Sequence, residues 1–347
     1  MNPILQPLSG GFRLGVALRH AAYRRGWLKT RKLNRPVISV GNLTVGGTGK
    51  TPLVALIARI LVKHGWNPAI LTRGYGRHGG PELLVIEPAN PRFADPREVG
   101  DEPALLAREL PKVPIVICAN RHRAGLVAER EFQANVHILD DGFQYLALAR
   151  DLDVVALDVT QETSDRALLP AGRMREPSSA LKRSHVVVLT RSDIGEPEPI
   201  EKRVRRTNPN VEIFRCATKL SRLVNIQSGE SFAIEQLTDS PVSAFCGIGN
   251  PPAFFADLRK WGFSIVREEV FRDHHIYTEG EIGTLSEKAV MAGASAILTT
   301  WKDAVKIAPN WKLRRPLFAC DIRAEVREAG AFENTLLRTL EGTNKAC

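Results

Sequence analysis

The run Gly46-Gly47-Thr48-Gly49-Lys50-Thr51 lies between an apolar segment, VISV (37–40), and an apolar helical pattern, PLVALIARILVKHG. Glycines let successive backbone N–H groups close around an anion, and a helix amino terminus adds a favourable dipole. In such a loop Lys50 reaches the β- and γ-phosphates and the Thr51 hydroxyl ligates Mg2+. A nucleoside triphosphate is therefore the expected ligand, bound by Thr44, Val45, Gly46, Gly47, Thr48, Gly49, Lys50 and Thr51. The strict phosphate-loop pattern asks for glycine at position 44, where Thr44 stands; the strand–loop–helix context carries the assignment instead.

Other polar groups gather at the ends of apolar runs. Asp140 and Asp141 follow VHIL and are placed to hold Mg2+ directly or through water. Asp101 and Glu102, in VGDEP, open a helical pattern; they fit helix capping, and equally a carboxylate beside an acceptor hydroxyl. Arg73, Arg77, Arg121, Arg123, Arg173 and Arg175 fall in strand-end loops, where the guanidinium fork suits phosphate. Asp273-His274-His275 follows FSIVREEV, and His274 is a candidate partner for a carboxylate base. No third ligand has the spacing for zinc. Lys302, Asp303 and Lys306, in TTWKDAVK, mark a further strand-to-helix junction, and GIGNPP (247–252) reads as a tight turn.

The elements that must position these groups are short β-branched runs alternating with helices. VISV, AILT (69–72), LLVI (83–86), PIVICA (114–119), VHIL (136–139), DVVAL (153–157) and VVVL (186–189) read as strands. Near-continuous apolar strands spaced by helices predict an α/β fold with a parallel sheet covered on both faces. A second α/β pattern follows a ribbon near 211–235: VSAFCG (242–247), a helix near 252–261, FSIVREEV (263–270), a helix near 279–292, AILTT (296–300) and PLFAC (316–320). The expected division is a helix at 1–28, a phosphate-loop domain at 29–215, a linker at 216–240, a second α/β domain at 241–335 and a tail at 336–347. Ligands of open α/β sheets bind beyond the carboxyl ends of the strands, so the six polar strand ends of the first domain predict one site.

The chain has 347 residues, 44% hydrophobic and 25% charged, which excludes disordered, collagenous and coiled-coil classes. Its net charge of +10 is uneven: the first acidic residue is Glu82, and 13 Lys/Arg precede it. Such a region attracts an anionic partner. Residues 12–28, FRLGVALRHAAYRRGWL, place Phe12, Val16, Tyr23 and Trp27 on one helical stripe flanked by Arg13, His20 and Arg24. A basic amphipathic helix of this kind suits a lipid interface, or docking on its own domain. No nucleic-acid-binding signature accompanies the charge, so nucleic acid is not an expected partner. The five scattered cysteines form no CxxC pair and point to a reducing compartment. Neither a membrane-spanning helix nor a signal peptide is expected.

Taken together, SVGNLTVGGTGKTP, LTRGYGR, VGDEPALLA, ILDDGFQ, LLPAGRMREP, DHH and TTWKDAVK resemble the tetraacyldisaccharide 4′-kinase family, the lipid A 4′-kinases of Gram-negative bacteria, over about residues 36–306. The resemblance implies a phosphate-loop α/β domain joined to a smaller α/β domain by a β-ribbon linker, and a monomer. It implies anchoring by the amino-terminal helix at the cytoplasmic face of the inner membrane. The implied reaction transfers the γ-phosphate of ATP, with Mg2+, to the 4′-hydroxyl of a tetraacylated glucosamine disaccharide 1-phosphate. It also implies Asp101 as the base in a dyad with His274, a catalytic Lys50, metal organisation by Thr51, Glu102, Asp140 and Asp141, and substrate contacts from Arg73, Tyr75, Arg121 and Arg175. Trp301 stands where that family is expected to carry glutamate.

Two other readings compete. A membrane-recruited switch ATPase accounts for GGTGKT and the amphipathic helix, and leaves GDEP, DHH and the second domain without a role. A GTPase is suggested by TRSD (190–193), in which Thr-Arg replaces the Asn-Lys that reads guanine.

Overall fold

The structure is a computed structural model that describes residues 5–74, 81–88, 95–161 and 167–344. Its first half alternates strands and helices: β1 (Val37–Gly41), α2 (Lys50–Lys63), β2 (Pro68–Thr72), β3 (Leu83–Ile86), α3 (Pro96–Val99), α4 (Asp101–Glu109), β4 (Ile115–Cys118), α5 (Arg121–Phe132), β5 (Val136–Asp140), β6 (Leu152–Asp158), β7 (Val186–Thr190) and α6 (Glu198–Thr207), preceded by α1 (Gln6–Arg24). The long strand β8 (Glu212–Asn225), β9 (Ser231–Phe232) and α7 (Glu235–Thr238) lead into the second half. That half holds β10 (Pro241–Cys246), α8 (Pro251–Lys260), β11 (Ser264–Val270), α9 (Glu279–Met291), β12 (Ala296–Thr300), α10 (Trp301–Ala304), β13 (Leu317–Val326) and α11 (Ala329–Asn344).

The result is a mixed α/β fold with a largely parallel sheet. Among the described residues one sheet runs through both halves, in the order β11-β10-β12-β13-β8-β7-β6-β1-β5-β2-β4-β3, with β9 beside β8. Among the described residues three pairings depart from the parallel rule, one of them the short β9 against β8. β3 lies antiparallel to β4. β8 pairs parallel with β7 over Glu212–Cys216, then antiparallel with β13 over Cys216–Asn225. The ribbon expected near 211–235 is thus built largely from β8 against β13, a strand far away in sequence.

The strands that carry the site are apolar throughout because both sheet faces are covered; β1, β2, β5 and β7 are buried at every position. α2 packs Leu53, Val54, Ile57 and Leu61 onto one face. The same core receives Phe332, Leu336 and Leu340 of α11, with Phe332 edge-on to Phe214 at 5.2 Å between ring centres. The stretch expected as a tail, 336–347, therefore carries the end of a helix that returns to the first half. α1 runs along the surface with no fully buried residue; Leu14 and Leu18 are about 60% and 61% exposed. It is tethered by Ser9 Oγ donating to Leu168 O (2.8 Å), Arg19 donating to Gln144 O (2.8 Å) and His20 Nε2 against Glu176 Oε1 (2.8 Å). Trp27, expected on the helical stripe, lies beyond the end of α1. No helix among the described residues is long and apolar enough to cross a membrane.

Candidate active site

The phosphate loop leaves β1 and enters α2 as expected. Gly46 and Gly49 take φ values of 106° and 76°, a region that favours glycine, and Gly49 caps α2. Thr44 forms a β-bridge with Met174, and Val45 N donates to Arg173 O at 2.8 Å, so position 44 is extended backbone where a side chain fits. Thr48 is buried, its hydroxyl accepting from Asn42 Nδ2 (2.7 Å) and its carbonyl from Thr190 Oγ1 (3.0 Å). The second half touches this loop directly. Arg173 donates to both Val45 O (3.0 Å) and Gly249 O (3.1 Å), and a Cβ on Gly249 would stand 2.6 Å from Gly46 Cα.

Lys50 Nζ lies 3.2 Å from Asn42 Oδ1 and 3.1 Å from Asp141 Oδ1. Arg175 grips the same two residues, donating to Asp141 Oδ2 at 2.7 Å and to Asn42 Oδ1 at 2.8 Å. The adjacent aspartates are driven apart electrostatically. Burial raises Asp141, but Lys50 and Arg175 outweigh it and hold the carboxyl down at about 2. Burial raises Asp140, Glu102 and Asp141 add like charge, and Lys50 and the Thr72 hydroxyl offset only part, leaving it at about 7. Asp140 Oδ2 accepts from Thr72 Oγ1 at 3.1 Å, while the buried Oδ1 has no hydrogen-bond partner among the described residues.

That unpaired oxygen, crowded by a second carboxylate, is what a cation would relieve. Among the described residues no three acidic, histidine or cysteine side chains form a ready metal cage. Magnesium is commonly held by one or two carboxylates together with substrate phosphates and water, so Thr51, Asp140 and Glu102 fit it as a donor set.

The second cluster joins the halves. Asp101 opens α4, and His274 sits in a left-handed turn (φ 61°) after β11. His274 Nδ1 is 3.1 Å from Asp101 Oδ2. Burial pushes Asp101 up, but the His274 hydrogen bond and the positive charges of Lys306 and Lys302 outweigh it and hold the carboxyl below its ordinary value. Lys302 reaches His274 Nε2 (3.2 Å) and Asp273 Oδ1 (3.0 Å). Glu102 follows Asp101 in the first turn of α4, and its charge raises both Asp140 and Lys302.

Of the residues expected from sequence, Lys50, Asp140, Asp141 and Arg175 meet at the loop, with Thr51 next to Lys50 at the start of α2, and Asp101 meets His274. Arg121 is different. It is buried, donates to Ala119 O at 2.9 Å and stacks 4.6 Å from the Tyr145 ring centre. Its guanidinium feels Asp140 and Asp141 as charges. Arg73 is exposed, and Arg123 pairs with Glu82 (2.9 Å). Tyr75 and Arg77 lie outside the described residues. Sequence reading passed over Asn42, Thr72 and Gly249 as site residues. Asn42 stood in the quoted GNLT run, but nothing local shows that its amide faces Lys50. Trp301 belongs to the core: it is 8% exposed, packs with Leu105 and Ala319, and lies under Arg108 at 3.6 Å.

The chain is similar to known proteins over nearly its whole length. The family model described as tetraacyldisaccharide-1-P 4′-kinase matches residues 1–341. A tetraacyldisaccharide 4′-kinase of Geobacter metallireducens is 40% identical over 97% of this chain and 98% of its own length. One from Koribacter versatilis is 37% identical over 97% and 99%. The crystal structure of the LpxK of Aquifex aeolicus in its "apo" form, in complex with ATP, superimposes with a TM-score of 0.77 at 31% identity, covering 97% of this chain and 98% of that one. The chain belongs to the tetraacyldisaccharide 4′-kinase family.

Proposed function

We propose a division of labour among the site residues for an ATP-dependent tetraacyldisaccharide 4′-kinase of lipid A biosynthesis, the activity of the family to which the chain belongs. The phosphate loop binds the triphosphate of ATP. Lys50, now held by Asp141 and Asn42, turns to the β- and γ-phosphates. Thr51, Asp140 and Glu102 would hold Mg2+, with Asp141 ordering the groups around them. When bound, the metal neutralises charge on the transferring phosphoryl group. Arg73, Tyr75, Arg121 and Arg175 bind substrate.

Asp101 accepts the proton of the 4′-hydroxyl as that oxygen attacks the γ-phosphorus, the bond from phosphorus to the β–γ bridging oxygen breaks and ADP leaves; His274 orients the carboxylate. The observation that carries this reading is the 3.1 Å contact between Asp101 and His274, which brings a candidate base from one half against the other. The site is assembled from a single copy, consistent with a monomer. The phosphate-loop half (29–215) and the second half (241–335) are the walls of a cleft joined through 216–240, which can exclude competing water. The exposed apolar side of α1, with its arginines, lays the enzyme on the cytoplasmic face of the inner membrane, where an acylated acceptor resides.

Purified protein incubated with labelled ATP, Mg2+ and a tetraacylated disaccharide 1-phosphate should place label on the 4′-oxygen. Hydrolysis of ATP at the same rate without acceptor would instead favour a switch ATPase.

A further inference from the structure

We propose that Lys302 and Lys306 are positioning residues that clamp the Asp101–His274 dyad from its two ends. This rests on the reading of Asp101 as the base. The lysines stand four residues apart at the α10 turn, and both face the dyad.

Lys306 Nζ lies 3.4 Å from Asp101 Oδ2 and 3.3 Å from Asp303 Oδ1, with its side chain only 6% exposed. Asp303 is itself fixed. It accepts from Gly247 N (3.0 Å), Thr300 Oγ1 (2.7 Å) and Tyr277 OH (2.9 Å), and it is fully buried. The ammonium also sits 5.5 Å from the centre of the Tyr277 ring. A rigid carboxylate on the second half thus anchors a buried cation, and that cation reaches across to the carboxylate oxygen that His274 also contacts. One hydrogen bond, from His274, and one ion pair, from Lys306, thus fall on Oδ2, which leaves Oδ1 of Asp101 as the oxygen for an incoming hydroxyl.

Lys302 acts at the other end. An ammonium only donates, so at 3.2 Å from Nε2 it requires that nitrogen to be the acceptor. The ring proton then sits on Nδ1, facing Asp101 Oδ2 at 3.1 Å. Asp273 holds Lys302 in place at 3.0 Å and receives His274 N at 3.1 Å. The tautomer that can donate to the base is therefore selected by Lys302. Neither lysine touches the phosphate loop.

The test is a pair of double-mutant cycles on the full-length enzyme, with ATP, Mg2+ and the lipid acceptor. Lys306→Met should lower kcat by about 10²-fold, the scale of a small misplacement of a reacting group, with KM for ATP changed less than about twofold. Lys306→Arg should recover part of the loss. Residues that act through one another are not additive, so Asp101→Ala/Lys306→Met should match Asp101→Ala within about twofold. Lys302→Met, a change at a more accessible side chain, repeats the cycle against His274→Ala and covers a poorly folding Lys306 variant. If each lysine change multiplies the loss of the dyad variant by its full single-mutant factor, or leaves kcat untouched, the clamp is refuted while the base reading stands. Near-normal turnover of Asp101→Ala removes the base reading and the clamp together.

Discussion

Thr72 donates its hydroxyl to one oxygen of Asp140 at 3.1 Å, and the other, buried oxygen has no hydrogen bond among the described residues. A buried carboxylate oxygen crowded by a second acid suits a cation. Asp140→Asn keeps the shape and removes the charge. It should raise the Mg2+ concentration for half-maximal activity by about 10–100-fold, the usual cost of disturbing a metal site. A magnesium titration at saturating ATP reads this directly, and an unchanged midpoint would remove Asp140 from the donor set.

Asp101 and His274 meet only when the two halves are folded together. Asp101→Ala should lower kcat by about 10²–10⁴-fold, the range of general-base catalysis. Calorimetric titration should still show ATP binding within a few-fold of the parent protein, because Asp101 has no contact with the phosphate loop. Loss of both activities would point to a structural role instead.

Gly249 presses backbone against backbone. A methyl group there would stand 2.6 Å from Gly46 Cα and 2.7 Å from Gly47 N, neither of which can swing aside. Gly249→Ala should destabilise by about 1–3 kcal/mol, as overpacking does, and weaken ATP binding by distorting the loop. Gly283→Ala is the control: nothing lies within 4 Å of its added carbon, and in α9 it should be neutral or stabilising by about 0.5–1 kcal/mol. Denaturant unfolding of both variants, with ATP titration of the first, separates the outcomes.

Leu14 and Leu18 project from α1 beside Arg13 and Arg19. Changing both leucines to glutamate should abolish co-sedimentation with anionic vesicles. Turnover of detergent-dispersed acceptor should stay within about twofold, since neither side chain enters the site. Undiminished vesicle binding would mean that another surface meets the membrane.

Glu109 gives a stability prediction away from the site. Burial raises its carboxyl, Arg59 at 3.3 Å opposes, and the balance leaves it at about 7. An acid raised in the folded state binds its proton there more tightly than in the unfolded chain. Its contribution is therefore present below about pH 4.5 and is lost as pH rises through 7. Glu109→Gln should gain on the parent protein by about 1–3 kcal/mol between pH 5 and pH 8. Chemical denaturation at the two pH values measures it; a parallel loss in both proteins would contradict the shift.

Most strands were legible because parallel strands buried on both faces leave unbroken apolar runs such as VISV and VVVL, and the phosphate loop was legible because glycine spacing is local. Pairing was not. That β8 changes partner from β7 to β13 depends on residues more than 90 positions away, and no local pattern encodes it. The same holds inside the site. Asp101 fitted a helix cap as well as a base, and His274 was a candidate partner for a carboxylate that the local sequence did not identify, until folding placed them together. Lys302 and Lys306 were visible as a junction, but their targets lie on other segments. Leu336 and Leu340 follow a helical spacing, yet the destination of α11 on the first half is a property of packing.

β8 belongs to both halves without a break, its first residues laddered to β7 and its last to β13. A strand pair of this kind behaves as a leaf spring rather than a string. Flexing it twists a hydrogen-bonded ladder, so any parting of the halves meets an elastic restoring force that grows with displacement. Product escape and re-entry of a fresh nucleotide would then be paced by the stiffness of this ribbon, and softening it with glycine on the solvent side would alter the tempo of the cycle without touching a reacting group.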